Sequence, residues 1–172
     1  ATNPNRAVRI AAVVALRRLM DAGVARFLAD QDEYIVTEAA RAINDDGGIE
    51  GALPQLAAAL DSKVSNEPFV RRALNANLRI GSADAAKRVA AYAGGSAGND
   101  EMRAEAISIL GVWPKPSVLD RVDGTALGPV ERDSAVARAA LATLVQPIFA
   151  SGSTPLQVAL AEAVGRLRVM EA

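Results

Sequence analysis

The chain has 172 residues, 51% hydrophobic and only 3% aromatic, which suits one domain with a continuous core. Its 19 basic and 20 acidic residues leave a net charge of −1, which argues against a general nucleic-acid binder but leaves room for a local basic patch. The lack of histidine and cysteine excludes zinc-finger ligation, thiol catalysis, haem attachment through a cysteine pair and histidine acid–base chemistry.

The predicted elements are all helices, because no segment reads as a convincing strand. Asn3 is the predicted N-cap of the first helix, with Pro4 in its first turn. Pro54 lies near the start of the fourth helix or kinks it, and Pro147 is expected to end or bend the eighth. The predicted helices cover residues 4–20, 24–29, 33–44, 49–60, 67–80, 83–93, 100–110, 134–145 and 155–170. The other predicted caps are Asp32, Asn66, Ser82, Asn99 or Asp100, Asp133, and Ser153 or Thr154.

One nine-residue pattern recurs five times, with apolar residues at its first, fifth, eighth and ninth positions. These offsets put the apolar side chains on one face of a helix. Most copies start about 30 residues apart, which is a usual spacing for helical repeats. We therefore predict an all-α fold of the HEAT-like α-solenoid type, a right-handed superhelix of about four and a half helix pairs. The copies are residues 8–16, 35–43, 70–78, 102–110 and 156–164.

An irregular insertion at about 112–132 interrupts this array, because it is rich in proline and glycine and has no helical period. We expect an ordered loop that holds its apolar residues against the last two helix pairs and turns its charges outward as a docking surface; a purely solvated loop is the alternative. The apolar residues are Val112, Trp113, Val118, Leu119, Val122 and Leu127. The charged residues are Lys115, Asp120, Arg121 and Asp123.

Four further residues are candidates for contact with a partner. Asn77 replaces an apolar residue of the repeated face, so its amide either bonds other protein groups or binds something in a groove. Asn75 either has a structural role or faces solvent or a partner, and Arg79 lies on another part of the same helix. Trp113, the only tryptophan, either covers the end of the apolar core or is an exposed interface anchor.

The sequence offers no catalytic, cofactor or metal residue that we can name. Glu101 and Glu105 lie one helical turn apart, but paired-carboxylate chemistry needs convergence on a pocket, which the sequence does not indicate. The run 45–48 has two aspartates and two glycines, yet it lacks the ligand spacing of a calcium loop and predicts a helix-ending turn. No run of about 18 apolar residues occurs, so no membrane span is expected. We therefore predict a protein that is not an enzyme and holds no metal or cofactor.

The repeats resemble HEAT repeats, in which an arginine commonly follows the first apolar position of the second helix. Arg9, Arg71 and Arg103 match that habit, while Val36 and Gln157 stand there in the other copies. A solvated or carboxylate-paired side chain is the expected structural role of such an arginine. A narrower resemblance covers about residues 5–170. Its stretches are RAIND at 41–45, RALNANLRIG at 72–81, MRAEA at 102–106, LGVW at 110–113 and PSVLDRVDG at 116–124.

These stretches resemble the HEAT segment of large exported bacterial proteins. In that family a sorbosone-dehydrogenase-like β-propeller comes first and a c-type cytochrome domain often ends the chain. The resemblance implies a spacer or docking module in a periplasmic or cell-surface redox protein; a cytoplasmic location is not excluded. The Cys-x-x-Cys-His haem motif is absent, so the family's redox activity cannot be assigned to any residue of this sequence.

The functional hypothesis is accordingly a single HEAT-like domain over 1–172, excised from a larger protein, whose partners are other proteins or neighbouring domains and not nucleic acid. Excision is favoured because the first copy of the pattern has no helix before it to pack against. The alternative is an enzyme of the solenoid class, such as a DNA-repair glycosylase or a bilin lyase. A contiguous basic groove would favour the nucleic-acid enzyme.

Overall fold

The computed structural model describes residues 2–46, 48–62, 65–96 and 98–169. Within these ranges the chain is all-α, with no β-strand, which confirms the predicted class. Its backbone contacts define two compact units. The first unit comprises Ala1–Ala76 and Asp120–Leu127, and the second comprises Asn77–Leu119 and Gly128–Ala172. A single repeat domain over 1–172 stays a prediction.

The first unit is built from short helices around a core of aliphatic residues, Phe27 and Phe69. Helix α2 packs against α1 and against the 3₁₀ helix Ala22–Ala29. The prediction of helix over 49–60 is confirmed, with helix at residues 50–61, but the run consists of three consecutive short segments, two of them 3₁₀, with Pro54 at the start of the middle one. The elements are α1 (Arg6–Arg18), the 3₁₀ helix Ala22–Ala29, α2 (Glu33–Asn44), the 3₁₀ helix Glu50–Ala52, α3 (Leu53–Ala58), the 3₁₀ helix Ala59–Asp61, and the start of α4 (Glu67–Ile80).

The described N-caps of the helices in this unit agree with the predicted ones, except at α1. Asp32 accepts a hydrogen bond from the Tyr34 N–H at 3.0 Å and caps α2 as predicted. The cap of α1 is Asn5 and not Asn3, since the Asn5 side chain accepts from the Ala7 N–H while Asn3 accepts from the Asn5 N–H. Asn3 and Asn5, on either side of Pro4, offer alternative caps, and the sequence does not distinguish them.

The second unit contains the end of α4 and four longer helices. Helices α6 (Asp100–Val112) and α8 (Thr154–Leu167) pack closely: a Cβ added to Gly111 would lie 3.0 Å from the Cβ of Ala163, so any side chain at 111 would force the two helices apart by a few tenths of an ångström. Ser82, Asn99 and Asp133 cap their helices through hydrogen bonds to backbone N–H groups, as predicted. The helices are α5 (Ala83–Gly94), α6 (Asp100–Val112), α7 (Ser134–Ser151) and α8 (Thr154–Leu167).

Pro147 does not end α7, which continues to Ser151. A proline inside a helix removes one backbone hydrogen bond, but Leu144 and Ile148 on either side of it are both buried. Their packing outweighs the lost hydrogen bond, so tertiary contacts override the local signal. The predicted end of α8 at Met170 lies outside the described residues, and α8 ends at Leu167.

Four of the five copies of the repeated pattern bury their apolar face, and the first does not. In the second to fourth copies every position of the pattern is buried, including Asn77, and in the last copy only Val164 is partly exposed. In the first copy Val8 is 47% exposed and Ala15 is exposed, while Val13 on the opposite side of α1 is buried. The expectation that each copy buries this face is therefore wrong for α1.

Candidate functional site

The centre of the insertion forms a closed turn that belongs to the first unit. The Asp120 carboxylate accepts hydrogen bonds from the N–H groups of Val122 at 2.8 Å and Asp123 at 3.3 Å. The Asp120 N–H donates to the Thr125 carbonyl at 2.8 Å, and Gly124 adopts a φ of 78°. An aspartate that binds the backbone two and three residues ahead is a local turn-forming device. The predicted order of this part of the loop is confirmed.

Asp120 is buried, with only 6% of its surface exposed, so the prediction that it faces outward is wrong. Its second carboxylate oxygen accepts a hydrogen bond of 2.7 Å from the Asn75 side-chain amide. The same amide nitrogen donates to the Asn44 side-chain oxygen at 2.9 Å, which places Asn75 in the interior and not toward solvent. Three N–H donors thus satisfy a buried carboxylate, which would otherwise be costly to desolvate.

An ion pair continues this network toward the surface. Arg72 donates to both oxygens of Asp45, at 2.9 and 2.7 Å, and the two side chains are only 12% and 14% exposed. Asn44 links to it by donating to Asp45 at 3.2 Å. A two-pronged, largely buried arginine–carboxylate pair is stronger and more directional than an exposed one. Sequence reasoning assigned no role to Asn44 or Arg72, although both lie in the stretches that carry the resemblance.

Asp123 is exposed and makes a second attachment of the turn within the first unit. Its carboxylate accepts from the Asp46 N–H at 2.6 Å and from the Thr125 N–H at 2.9 Å. Arg121, between the two aspartates, is exposed as predicted. The turn therefore holds Asp120 inward and presents Arg121 outward.

Asn77 belongs to the second unit and is fully buried. Arg88 donates to its side-chain oxygen at 2.8 Å, so the structural interpretation of this asparagine is confirmed, although the bond shown here is to a side chain and not to a turn backbone. Arg79 is half-buried, and its carbonyl near the end of α4 accepts a hydrogen bond of 3.2 Å from Arg132.

Trp113 is completely buried, which confirms that it covers apolar core and excludes the exposed-anchor alternative. Its indole N–H has no hydrogen-bond partner in the described part of the chain, so the residue contributes through its area and shape. Val118, Leu119 and Leu127 are exposed, which contradicts the expected packing of these loop residues.

Arg132, which sequence reasoning passed over, anchors the end of the insertion within the second unit. Its guanidinium donates to the carbonyls of Arg79 and Trp113, at 3.2 and 3.4 Å, and lies 5.8 Å above the centre of the Trp113 ring. Those carbonyls end α4 and α6, where the helix dipole favours a positive charge. Burial lowers the pKa of the Arg132 guanidinium below its ordinary value. Gly81, with a φ of 68°, leaves room for it, because a Cβ there would clash with the guanidinium.

Lys115 lies on the surface of the second unit. It pairs with Glu131 at 3.3 Å, and both side chains are 78% exposed, so the pair contributes little to stability. Of the four charged loop residues predicted to face outward, Lys115, Arg121 and Asp123 do so, and Asp120 does not.

Two further features bear on function. A groove of 860 Å³ lies between α5 and α7, lined by alanine, glycine and other apolar residues with Lys87 and Thr143 as its polar members. By length and composition alone α7 could cross a membrane, but 28% of it is buried and one such helix is weak evidence for a span. Within the described ranges no group of three or more acidic residues could hold a metal ion.

The three arginines that follow the first position of the repeated pattern have the carboxylate-paired role expected of them. Arg9 pairs with Asp30 at 2.9 Å, Arg71 with Glu67 at 2.9 Å, and Arg103 with Asp100 at 3.1 Å. Comparisons with protein-family models, with curated proteins and with solved structures find no match for this chain.

Proposed function

We propose that this chain is a non-catalytic interaction module: a HEAT-type right-handed α-solenoid of about four and a half helix pairs that positions or docks neighbouring domains of a larger exported redox protein. The all-helical fold and the burial of one repeated apolar face in four helices support the repeat architecture. The periplasmic or cell-surface setting and the redox context rest on the sequence resemblance alone. An experimental structure with helices in a non-superhelical arrangement would overturn the solenoid part.

The ordered insertion is the observation that carries the docking role. The buried Asp120 carboxylate accepts hydrogen bonds from the Asn75 side chain and from the turn backbone, and this order fixes the turn. Arg121, the next residue of the turn, is exposed. A loop fixed by a buried network loses little entropy when it binds, and loops on rigid scaffolds are common sites of contact. The part of the insertion in the second unit has an exposed charge, Lys115, and two exposed apolar residues, Val118 and Leu119.

Charge reversal of the exposed loop residues tests this function. We expect Lys115→Glu and Arg121→Glu each to weaken binding to the remaining domains of the parent protein by roughly tenfold, because each turns an attraction at the interface into repulsion. Titration calorimetry measures the affinity, and thermal melting of both variants should match the wild type.

Lys87→Glu is the matched control, since Lys87 is 76% exposed, pairs among the described residues only with the exposed Asp84, at 3.6 Å, and lies outside the insertion. If both loop variants bind as tightly as the control, the insertion is not the docking surface.

A further inference from the structure

The turn at the centre of the insertion contains an exposed aspartate followed by an exposed glycine, Asp123 and Gly124. A glycine nitrogen is the least hindered nitrogen that can follow an aspartate, because glycine has no Cβ. A Cβ built on Gly124 would have no described heavy atom within 4 Å apart from its chain neighbours. The peptide group that joins the two residues therefore lies in open space at the surface.

This pair of residues has a known reactivity of its own. The backbone nitrogen of Gly124 can bond to Cγ of Asp123 while a C–O bond of the carboxyl group breaks, and the OH leaves with the amide hydrogen as water. The cyclic imide that results then takes up water. Addition at Cγ restores aspartate, and addition at the main-chain carbonyl carbon gives isoaspartate. Because one water leaves and one returns, the reaction needs no oxidant, reductant or further reactant.

The folded turn holds both reacting groups in hydrogen bonds. The Gly124 N–H donates to the Asp120 carbonyl at 3.1 Å. The Asp123 carboxylate accepts from the N–H groups of Asp46 at 2.6 Å and Thr125 at 2.9 Å. Cyclisation needs these bonds to open, so its rate is the intrinsic rate multiplied by the fraction of molecules in which the turn is open. Local opening of the turn is sufficient, and the rest of the chain stays folded.

The buried Asp120 side chain controls how often the turn opens. Its carboxylate accepts from the N–H groups of Val122 and Asp123, the two residues before Gly124, and from the Asn75 side chain. Asp120 is only 6% exposed, so water competes poorly for these bonds. Without this carboxylate the two N–H groups lose their acceptor, and the turn opens more often.

We propose that Asp123–Gly124 is a site of isoaspartate formation in the native protein, and that the buried Asp120 carboxylate slows the reaction. Isoaspartate lengthens the main chain by one carbon and removes the carboxylate from the place where it binds the N–H groups of Asp46 and Thr125. The turn that carries Arg121 is then changed covalently as the protein ages. This modification goes beyond the proposed function, because it does not depend on any partner.

Incubation of the whole chain at neutral pH and physiological temperature, in water enriched in the heavy oxygen isotope, tests the proposal. Each passage through the imide places one heavy oxygen in the carboxyl group of residue 123. Fragmentation mass spectrometry locates this label and distinguishes isoaspartate from aspartate. A blocked peptide of residues 121–127 gives the intrinsic rate. The wild type should form isoaspartate at 123, at least roughly tenfold more slowly than the peptide.

The variants separate opening of the turn from unfolding of the chain. Asp120→Ala should react at least roughly threefold faster than the wild type, and Asp120→Asn, which keeps one oxygen, should lie between them. Asp123→Glu should form no such product, because its longer side chain disfavours the ring. Val24→Ala is the matched control for stability: Val24 is fully buried in the first unit but lies outside the turn, so the rate at 123 should equal that of the wild type.

Four results would overturn the proposal. These are no isoaspartate at 123 by the time the peptide has reached equilibrium, a wild-type rate equal to that of the peptide, equal rates in the wild type and both Asp120 variants, or equal acceleration by Val24→Ala and Asp120→Ala. The last result would mean that the reaction proceeds from the unfolded chain. Because mass and not binding is measured, the outcome is independent of the docking role of the insertion.

Discussion

Asp120 in the first unit and Arg132 in the second anchor different parts of the same insertion, and they do so with opposite charges. Neither forms an ion pair with any described residue. The carboxylate is held by N–H donors from Asn75 and from its own turn, and the guanidinium by the carbonyls that end two helices and by the Trp113 ring. Neutral dipoles thus satisfy both a buried carboxylate and a half-buried guanidinium, the first through N–H donors of a turn and an amide, the second through carbonyls at helix ends.

The largest expected loss of stability comes from removing the Trp113 ring, which the Arg132 guanidinium contacts. Trp113→Ala should lower the free energy of unfolding by about 3–5 kcal/mol, because it opens a cavity in a fully buried site and removes the ring that faces the guanidinium. Thermal melting measures the loss. Trp113→Phe should cost much less, since the indole N–H has no partner to lose. Equal melting of Trp113→Ala and wild type would contradict the role of the tryptophan in the core.

An intermediate loss of stability is expected from replacing Asp120. Asp120→Ala should cost about 1–3 kcal/mol, because it leaves the Asn75 amide and the Val122 N–H without their acceptor. Asp120→Asn should cost less, as it keeps one oxygen for the turn. Chemical denaturation gives both values. A double-mutant cycle with Asn75→Ala should show non-additive losses; simple additivity would mean that the two residues do not interact in solution.

The smallest effect on stability is expected at the ion pair of Arg6 with Asp32 on the surface of the first unit. The hydrogen bond from Arg6 lowers the pKa of the Asp32 carboxyl below its ordinary value. A lowered carboxyl pKa gives stability that is present above the unfolded-state pKa and lost as the pH falls through the folded-state pKa. Arg6→Ala should therefore lower the melting temperature slightly at neutral pH, and the difference from wild type should vanish in acid. A difference that grows in acid would contradict this assignment.

Local features of the fold were predictable from the sequence, and long-range polar contacts were not. Caps such as Ser82 and Asp133 act on the next few residues, so a local pattern suffices to find them. Asn75 and Asp120 lie 45 residues apart, and a charged residue in a proline-rich loop reads as solvated unless its donors are known. Arg132 lies 53 residues from the carbonyl of Arg79, and only the glycine at 81 hinted at a special arrangement there.

The wrong prediction that α1 buries its repeated apolar face has a different cause. The pattern over 8–16 correctly identified a helix with an apolar face, but α1 buries the side that carries Val13 instead. A sequence pattern shows that a face is fit for packing, and the neighbours decide which face is used.

The close contact of Gly111 with Ala163 has a consequence for how this sequence can diverge. A Cβ at 111 would lie 3.0 Å from the Cβ of Ala163 and 3.1 Å from its Cα, so α6 and α8 would have to move apart by a few tenths of an ångström to admit it. The two positions therefore form a joint volume constraint on α6 and α8. Among descendants of this chain, a larger residue at 111 should be accompanied by an adjustment around 163, although each residue alone is common in a sequence so rich in small side chains.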